Sequence, residues 1–407
     1  MYIVIELLHG GWNALLEYLS AHVLTCLVPA FFIAGAIAVF ISQASVIKYF
    51  GPGAKKLLSY SVSSISGTIL AVCSCTILPL FSGIHKRGAG LGPAIAFLYS
   101  GPAINILAII LTARILGLEL GIARIIGAVV FAVVIGLIMH VIYRKEEQAK
   151  VDTELSMPEA DEIRPMWQTA FHFFVLVFIL VFVNWGKPDT ENGIWYFVFE
   201  NRWLITTFFG FLFMLSLMYV LKLNKWYVIT GAVLVFASTL IWPGNPLIPF
   251  VVAVIALSII LSISSAEAQE WMSESWKFAK QILPLLAAGV LAAGFLLGST
   301  DGGNGIIPNE WIASLVGGNA VFANFFASVV GAFMYFATLT EVPILQGLIN
   351  SGMGKGPALA LLLAGPALSL PNMLVIRGVI GTQKTIVYVT LVVIMATISG
   401  FIYGSIF

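Results

Sequence analysis

Two cysteines separated by one residue, Cys73 and Cys75, stand before Pro79 in the apolar run Cys-Ser-Cys-Thr-Ile-Leu-Pro. Thiolate sulfur is a soft ligand that suits thiophilic metals and metalloids. On a regular helix the two side chains point about 200° apart, so they share a ligand only where the proline unwinds the helix. We predict that both cysteines bind substrate. The alternative, which we favour for Cys26, is packing as a small apolar side chain.

A carboxyl group, that of Glu341, stands two residues before Pro343 in the equally apolar run Thr-Leu-Thr-Glu-Val-Pro. Acidic side chains in apolar spans are costly and usually line a cavity or relay protons. Burial favours the neutral acid, so we predict that Glu341 carries a coupling proton. The alternative is a structural acid that is bonded to a backbone carbonyl.

Both runs belong to one pattern of glycines and prolines that recurs after 264 residues. This step takes Pro79 to Pro343 and Gly101-Pro102 to Gly365-Pro366. The other matched positions are Gly67 and Gly331, Gly83 and Gly347, Gly88 and Gly352, Gly90 and Gly354, and Gly92-Pro93 and Gly356-Pro357. Because no gap is needed to keep the register, the pattern predicts a duplicated unit.

The matched prolines predict where the helices break. Proline lacks an N–H, so the carbonyl four residues before it loses its helical partner. Inside a bilayer such breaks persist only where they are buried in protein or face water or a ligand. Matched breaks in two repeats therefore indicate a transport site between them, although kinks between closely packed helices are an alternative. The residues predicted to bind substrate are Cys73, Cys75, Thr76, Pro79, Gly101, Pro102, Asn105, Thr340, Pro343, Gly365, Pro366 and Ser369.

The composition predicts an all-α polytopic membrane protein. The chain has 407 residues, of which 60% are hydrophobic and 10% charged, and its mean hydropathy is +1.01. Soluble domains carry about 25% charge, whereas apolar runs of about 20 residues span a bilayer. A net charge of +1 gives no reason to expect nucleic acid as a partner. The five histidines are scattered, so we predict no metal and no cofactor.

We expect about twelve transmembrane helices arranged in four parts. These are a first repeat at 1–143, a charged cytoplasmic linker at 144–165, a middle block of about four spans at 166–265, and a second repeat at 266–407. The predicted spans are 20–42, 57–84, 89–113, 118–143, 166–185, 203–221, 226–242, 246–265, 277–298, 319–349, 355–376 and 383–406. If the middle block contains four spans, the two repeats cross the membrane in the same orientation. If it contains an odd number, one repeat is inverted relative to the other. The distribution of Lys and Arg favours the parallel case.

The runs CSCTILPLFSGIHKRGAGLGPAIAFLYSGPAIN and TLTEVPILQGLINSGMGKGPALALLLAGPALSLPN resemble the predicted permease family that includes YraQ-like proteins and the ArsP-type organoarsenical efflux permeases. The resemblance covers roughly 20–143 and 277–406, and the middle block looks enlarged relative to shorter members. It implies a multi-pass permease of the plasma membrane. Some members export trivalent organoarsenicals, which the cysteines would suit.

Motifs and resemblance together favour a secondary transporter rather than an enzyme, with a small soft or thiol-reactive solute as its substrate and efflux as its direction. The chain has no Gly-x-x-x-x-Gly-Lys-Ser/Thr run, which argues against ATP hydrolysis. Three alternatives stay open: a transporter of another small, sulfur-containing solute, an intramembrane thiol redox protein and a channel. A homo-oligomer is compatible with the sequence.

Overall fold

The computed structural model describes residues 12, 16, 19–40, 50–51, 55–70, 74–104, 106–154, 165–187, 193–297, 315–334, 341–350 and 352–407. Within them the regular structure is helical, apart from one isolated β-bridge between Gly317 and Met353. The chain divides into two compact units. The first unit comprises Met1–Ala21, Ala44–Pro158 and Gln281–Phe407, and the second comprises His22–Gln43 and Glu159–Lys280.

The first helices carry the cysteine motif and the first Gly-Pro pair. A π-helical stretch, Leu19–Leu27, leads into the first α-helix. The helices are α1 (Val28–Phe40), α2 (Lys56–Leu70), α3 (Ser74–Lys86), α4 (Leu91–Ala103), α5 (Ile106–Ile115) and α6 (Leu118–Glu154). Helix α4 ends one residue after Pro102, so the segment predicted as one span at 89–113 consists of two shorter helices.

The boundary predicted at residue 143 is not a helix end. Helix α6 continues through the charged run to Glu154, because the residues from Arg144 onward are mostly strong helix formers. The run is not wholly solvated either. Glu147 is 3% exposed, and its carboxylate accepts a hydrogen bond of 2.6 Å from the backbone N–H of Leu91, the first residue of α4. Glu147 therefore satisfies one of the N–H groups that a helix start leaves open.

The middle of the chain forms six further helices. They are α7 (Met166–Val183), α8 (Ile194–Glu200), α9 (Arg202–Tyr219), α10 (Lys225–Ile241), α11 (Leu247–Ile263) and α12 (Ala266–Leu297). The four predicted middle spans coincide with α7, α9, α10 and α11, whereas the short α8 was not predicted. The polar stretch 266–276, which the sequence suggested as a connection, forms the first turns of α12.

Five helices follow in the described parts of 315–407. They are α13 (Val321–Phe333), α14 (Glu341–Asn350), α15 (Lys355–Ala364), α16 (Leu370–Ile380) and α17 (Thr382–Ile406). The segment predicted as one span at 355–376 consists of α15 and α16, with a turn at 365–368 that begins at the second Gly-Pro pair. The starts of α15, α16 and α17 each lie 264 residues after the starts of α4, α5 and α6.

In the first unit the two motif runs pack in the same way. Helix α4 packs against α2 and α6, and α15 packs against α13 and α17. Glycines allow the close approach: a Cβ at Gly92 would lie 2.7 Å from the carbonyl oxygen of Gly136, and a Cβ at Gly356 would lie 2.6 Å from that of Gly400. The runs also contact each other reciprocally, because α14 packs against α5 and α16 packs against α3.

The core of the second unit is aromatic. Trp271 of α12 is fully buried, and its indole N–H donates a hydrogen bond of 2.7 Å to the carbonyl of Phe32 in α1. Its ring lies 5.3 Å from those of both Phe40 and His172. The ring of His172 lies 5.5 Å from that of Phe213 in α9. Edge-on and tilted contacts of this kind stabilise buried rings beyond their apolar area.

Several helices suit a bilayer by length and composition. Among the described residues, four helices are long and apolar enough to cross a membrane: Val23–Phe40, Leu118–Glu147, Arg202–Tyr219 and Thr382–Ile406. Six shorter apolar helices accompany them. On α10 large apolar side chains point outward, with Val233, Leu234 and Phe236 between 55% and 66% exposed. Such a surface is unfavourable in water and favourable in lipid.

Candidate functional site

The first unit contains an ion pair that is almost completely buried. A guanidinium nitrogen of Arg124, Nη2, lies 3.1 Å from the Oε2 atom of Glu341, and the two side chains are 0% and 2% exposed. Arg124 belongs to α6, and Glu341 is the first residue of α14. The pair therefore joins α6, which follows the first motif run, to the first helix of the second motif run. Charges this deeply buried are rare unless they are paired.

A third helix holds the guanidinium from the other side. The Nη1 atom of Arg124 donates a hydrogen bond of 2.9 Å to the hydroxyl of Thr112 on α5. The Thr112 hydroxyl in turn donates a bond of 2.6 Å to the carbonyl of Ala108, which fixes it as an acceptor for Arg124. The arginine is thus clamped between α5 and α14, two helices that also pack directly on each other.

The ion pair is only half engaged. Within the described part of the chain, the Nε atom of Arg124 and the Oε1 atom of Glu341 are buried and have no hydrogen-bond partner. A guanidinium and a carboxylate can form two parallel bonds, but here one bond is made. A buried polar atom without a partner is unfavourable by roughly 1–3 kcal/mol, so both atoms can gain from a further partner.

The Gly-Pro turns pack against the residues that precede the motif prolines. A Cβ at Gly365 would lie 3.4 Å from the Oε1 atom of Glu341, and a Cβ at Gly101 would lie 2.7 Å from the side chain of Ile77. Ile77 and Glu341 are separated by the same 264 residues as Gly101 and Gly365. The same backbone arrangement therefore carries a hydrocarbon side chain in one run and a carboxyl in the other.

Two tyrosines reach carbonyls beside the second Gly-Pro turn. The hydroxyl of Tyr99 donates a hydrogen bond of 2.8 Å to the carbonyl of Leu363, and that of Tyr388 donates one of 3.4 Å to the carbonyl of Ala367. Both tyrosine side chains are fully buried. Tyr99 lies within electrostatic range of the ion pair, so the pair and the turn belong to one polar cluster inside an apolar core.

A known family matches almost the whole of this chain. A family described as predicted permeases, of the ArsP type, matches residues 9–405. The chain belongs to this family. It is therefore a membrane protein with the features of a transporter, and the buried ion pair lies within the region that the family shares.

Two named relatives extend the comparison across domains of life. The chain is 41% identical over 408 residues to the UPF0718 protein MJ0584 of Methanocaldococcus jannaschii, which covers 100% of this chain and 98% of the relative. It is 21% identical over 404 residues to the UPF0718 protein YraQ of Escherichia coli, which covers 97% of this chain and 81% of the relative. No solved structure matches this chain significantly.

Some residues predicted for the site lie outside the described part of the structure. Cys73, Asn105 and Thr340 belong to this group. Cys75 and Pro343 belong to α3 and α14, but their side chains also lie outside the description. The prediction that two thiols converge on one ligand therefore stays a prediction.

The other predicted residues lie on α3, on α4 and in the segment between α15 and α16. Thr76, Pro79, Gly101, Pro102 and Gly365 are buried, and Pro366 is half-buried. Ser369 is 3% exposed, and among the described residues its hydroxyl has no hydrogen-bond partner, as is also true of the Oδ1 atom of Asn372. Two cavities lined by described residues lie elsewhere, one of about 230 Å³ between α16 and α17 and one of about 540 Å³ in the second unit.

Sequence reasoning missed Arg124. It also offered a backbone carbonyl as the alternative partner for Glu341, whereas the structure pairs that carboxylate with the guanidinium. The available signal was an arginine seven residues into an apolar span, a feature that points to function by default. In the part of the chain that is described, no group of three or more His, Cys, Asp or Glu side chains is placed to hold a metal.

Proposed function

We propose that this chain is a multi-pass secondary transporter of the plasma membrane, in which the Arg124–Glu341 pair couples transport to protons. The observation that carries the proposal is the burial of this pair, 0% and 2% exposed, between α6 and the first helix of the second motif run. Ionisable groups inside membrane domains usually mark an ion or substrate pathway.

The proposal includes two homologous repeats, one within 1–143 and one within 266–407. Three observations support it: the helix starts recur after 264 residues, equivalent glycines make equivalent close contacts, and the helices exchange contacts reciprocally. Helices that end at Gly-Pro pairs in both runs are the arrangement expected at a repeat interface in transporters. The substrate pathway is accordingly placed between the repeats.

In this proposal the ion pair stabilises one conformation of the transporter. With Glu341 ionised, its attraction to Arg124 ties α14 to α6 and, through Thr112, to α5. A proton on Glu341 removes that attraction and leaves a buried cation, which destabilises the closed contact strongly. Protonation therefore shifts the population towards a conformation in which the guanidinium is compensated in another way.

The substrate is a small soft or thiol-reactive solute, such as a trivalent organoarsenical, and the direction is efflux. The support is the Cys73-x-Cys75 motif, whose second cysteine belongs to α3, together with the family resemblance. Soft sulfur ligands suit thiophilic solutes. We propose that Thr76, Gly101 and Gly365 contact this substrate; in support, a Cβ at Gly365 would lie 3.4 Å from the Oε1 atom of Glu341.

Flux measurements in proteoliposomes test this function. Wild-type protein is reconstituted, and uptake of a trivalent organoarsenical, arsenite and a small thiol is measured with and without an imposed pH gradient. We expect protein-dependent flux that the gradient accelerates. The matched inactive control is R124Q/E341Q, which removes both charges together, so that neither is left buried alone. Flux in wild type that equals flux in empty liposomes for every solute would refute the proposal.

A further inference from the structure

Among the described residues, Arg124 is a buried cation that pairs with one carboxylate, that of Glu341. Two charged residues on the helices packed against α14 are exposed: Arg114 on α5, and Lys355 at the start of α15, which pairs with the exposed Glu119. The titratable neighbours that face inward are the phenols of Tyr99 and Tyr388, which donate to carbonyls. Among the described residues, Glu341 is thus the group that balances the arginine.

The guanidinium presents its open edge beside this carboxylate. The Nε and Nη2 atoms of arginine form one side of the planar group and bind two oxygens of one anion together. In this protein Nη2 contacts Glu341 while Nε, which is buried, has no partner among the described residues. The opposite end, Nη1, is held by Thr112. The arginine is therefore held in position by Thr112 and Glu341. Its Nε atom, one of the two donors that can bind an anion together, makes no hydrogen bond to a described residue.

A guanidinium cannot release its proton under any physiological condition. When Glu341 takes up the coupling proton, the positive charge of Arg124 remains in a medium that solvates ions poorly. Electroneutrality inside the protein then requires another negative charge at the same place. One proton on Glu341 and one negative charge on the incoming group restore the balance.

We propose that Arg124 is the anion-binding group of the transport site, and that a small monovalent oxyanion takes the place of the Glu341 carboxylate when Glu341 is protonated. This inference rests on the coupling role proposed above for the Arg124–Glu341 pair and names an anionic class of substrate. It does not rest on the arsenical or on efflux, since a trivalent organoarsenical is neutral and a solute that binds together with a proton moves in the same direction as the proton. Two oxygens of a sulfonate, a carboxylate or a monovalent phosphate or arsenate group match the Nε–Nη2 edge. The substrate and the Glu341 carboxylate are competitors, so proton binding and anion binding favour each other.

Binding of methanesulfonate tests the inference, because this anion keeps one negative charge throughout the accessible pH range. Its affinity for the purified full-length protein is measured by calorimetry between pH 5.5 and pH 8. We expect the wild-type affinity to rise as the pH falls, by up to about tenfold per pH unit for one linked proton. Dimethyl sulfone, a neutral molecule of similar shape, should not bind.

Three variants separate the site from the fold. E341Q lacks the competing carboxylate and should bind methanesulfonate tightly at every pH. R124Q should lose binding at every pH. R124Q/E341Q contains neither charge, so it should fold as stably as the wild type and still fail to bind, which separates a lost site from a lost structure. E119Q removes an exposed carboxylate on α6, the helix of Arg124, that pairs with Lys355. This variant should bind methanesulfonate as the wild type does.

Two results would overturn the inference: binding of methanesulfonate by R124Q/E341Q with wild-type affinity, or a wild-type affinity that does not change with pH. Flux assays keep this failure distinct from failure of the proposed function. If the wild type and R124Q/E341Q carry methanesulfonate at the same rate, the protein is a permease and Arg124 is not its anion site. If methanesulfonate binds as expected but no solute is carried, the Arg124 site stands and the transport proposal fails.

Discussion

Tyr99 and Leu363 occupy the same position in the two motif runs, 264 residues apart, and they contact each other. The hydroxyl of Tyr99 donates a hydrogen bond of 2.8 Å to the carbonyl of Leu363. Contact between equivalent positions is what a two-fold relation between repeats produces near its axis. The bond also supplies a donor to a carbonyl in the last turn of α15, where Pro366 interrupts the helical series.

Tyr99→Phe should therefore lower the free energy of unfolding by about 1–3 kcal/mol, because a buried carbonyl loses its donor. The measurement is chemical or thermal unfolding of the purified protein in detergent, followed by tryptophan fluorescence. Tyr227→Phe is the matched control, since Tyr227 on α10 is 43% exposed and should change stability by less than about 0.5 kcal/mol. Equal changes in the free energy of unfolding for the two substitutions would show that the hydrogen bond of the Tyr99 hydroxyl does not stabilise the fold.

A double-mutant cycle should reveal the coupling of Arg124 with Glu341. Each single variant, R124Q or E341Q, leaves one buried charge alone and should lose about 3–5 kcal/mol of stability. R124Q/E341Q should recover most of that loss, because neither charge remains. The exposed pair of Glu119 and Lys355, whose charged atoms lie 3.6 Å apart, serves as the reference. Its coupling free energy should be below about 1 kcal/mol. Additive losses in the double variant would contradict a direct interaction between the two side chains.

The close helix contacts predict matched effects of alanine in the two runs. G92A and G356A place a methyl group within 2.7 Å of a backbone oxygen on the neighbouring helix, so each should destabilise the fold by about 1–3 kcal/mol. G210A is the control, since no atom lies within 4 Å of a Cβ at that position. Similar losses at Gly92 and Gly356 are expected from equivalent packing. A tolerated G356A beside a damaging G92A would argue against that equivalence.

Much of the helical layout could be predicted from the sequence. The middle spans and the last span were placed within a few residues, because long apolar runs constrain helix positions strongly. The division of predicted long spans at Gly101-Pro102 and Gly365-Pro366 follows from the missing N–H of proline. The extension of α6 to Glu154 was missed because a charged run was taken for a linker, although its residues are strong helix formers.

The partner of Glu341 could not be predicted in the same way. Local patterns identify an acid in an apolar run, but its counter-charge lies 217 residues away on another helix. A single arginine hardly changes the hydropathy of a long apolar span, so Arg124 did not stand out. Only the packing of α14 on α5, with α6 alongside, brings the two charges together. Thr112, which orients the guanidinium, carried no signal that separates it from other threonines of membrane helices.

The cysteine prediction remains open to a direct test. Replacing Cys73 and Cys75 together with serine should abolish transport of a thiophilic solute and leave expression and unfolding unchanged, because serine has the same shape but is a poor ligand for soft metalloids. Cys26→Ser is the control, since Cys26 is buried in the second unit, and its transport should match the wild type. Full transport by the double serine variant would assign Cys73 and Cys75 to packing.

Gradient-driven flux of E341Q tests the central claim most directly. Glutamine keeps the shape and hydrogen bonding of Glu341 but cannot take up a proton, so it cannot link the state of Arg124 to pH. Wild-type, E119Q and E341Q proteins are reconstituted at equal density, and flux of a transported solute is measured with and without a pH gradient. We predict that the gradient accelerates the wild type and E119Q and has no effect on E341Q, which still binds the solute. Acceleration of E341Q to the same extent as the wild type would contradict the account, and Glu341 would then be a structural acid that anchors Arg124.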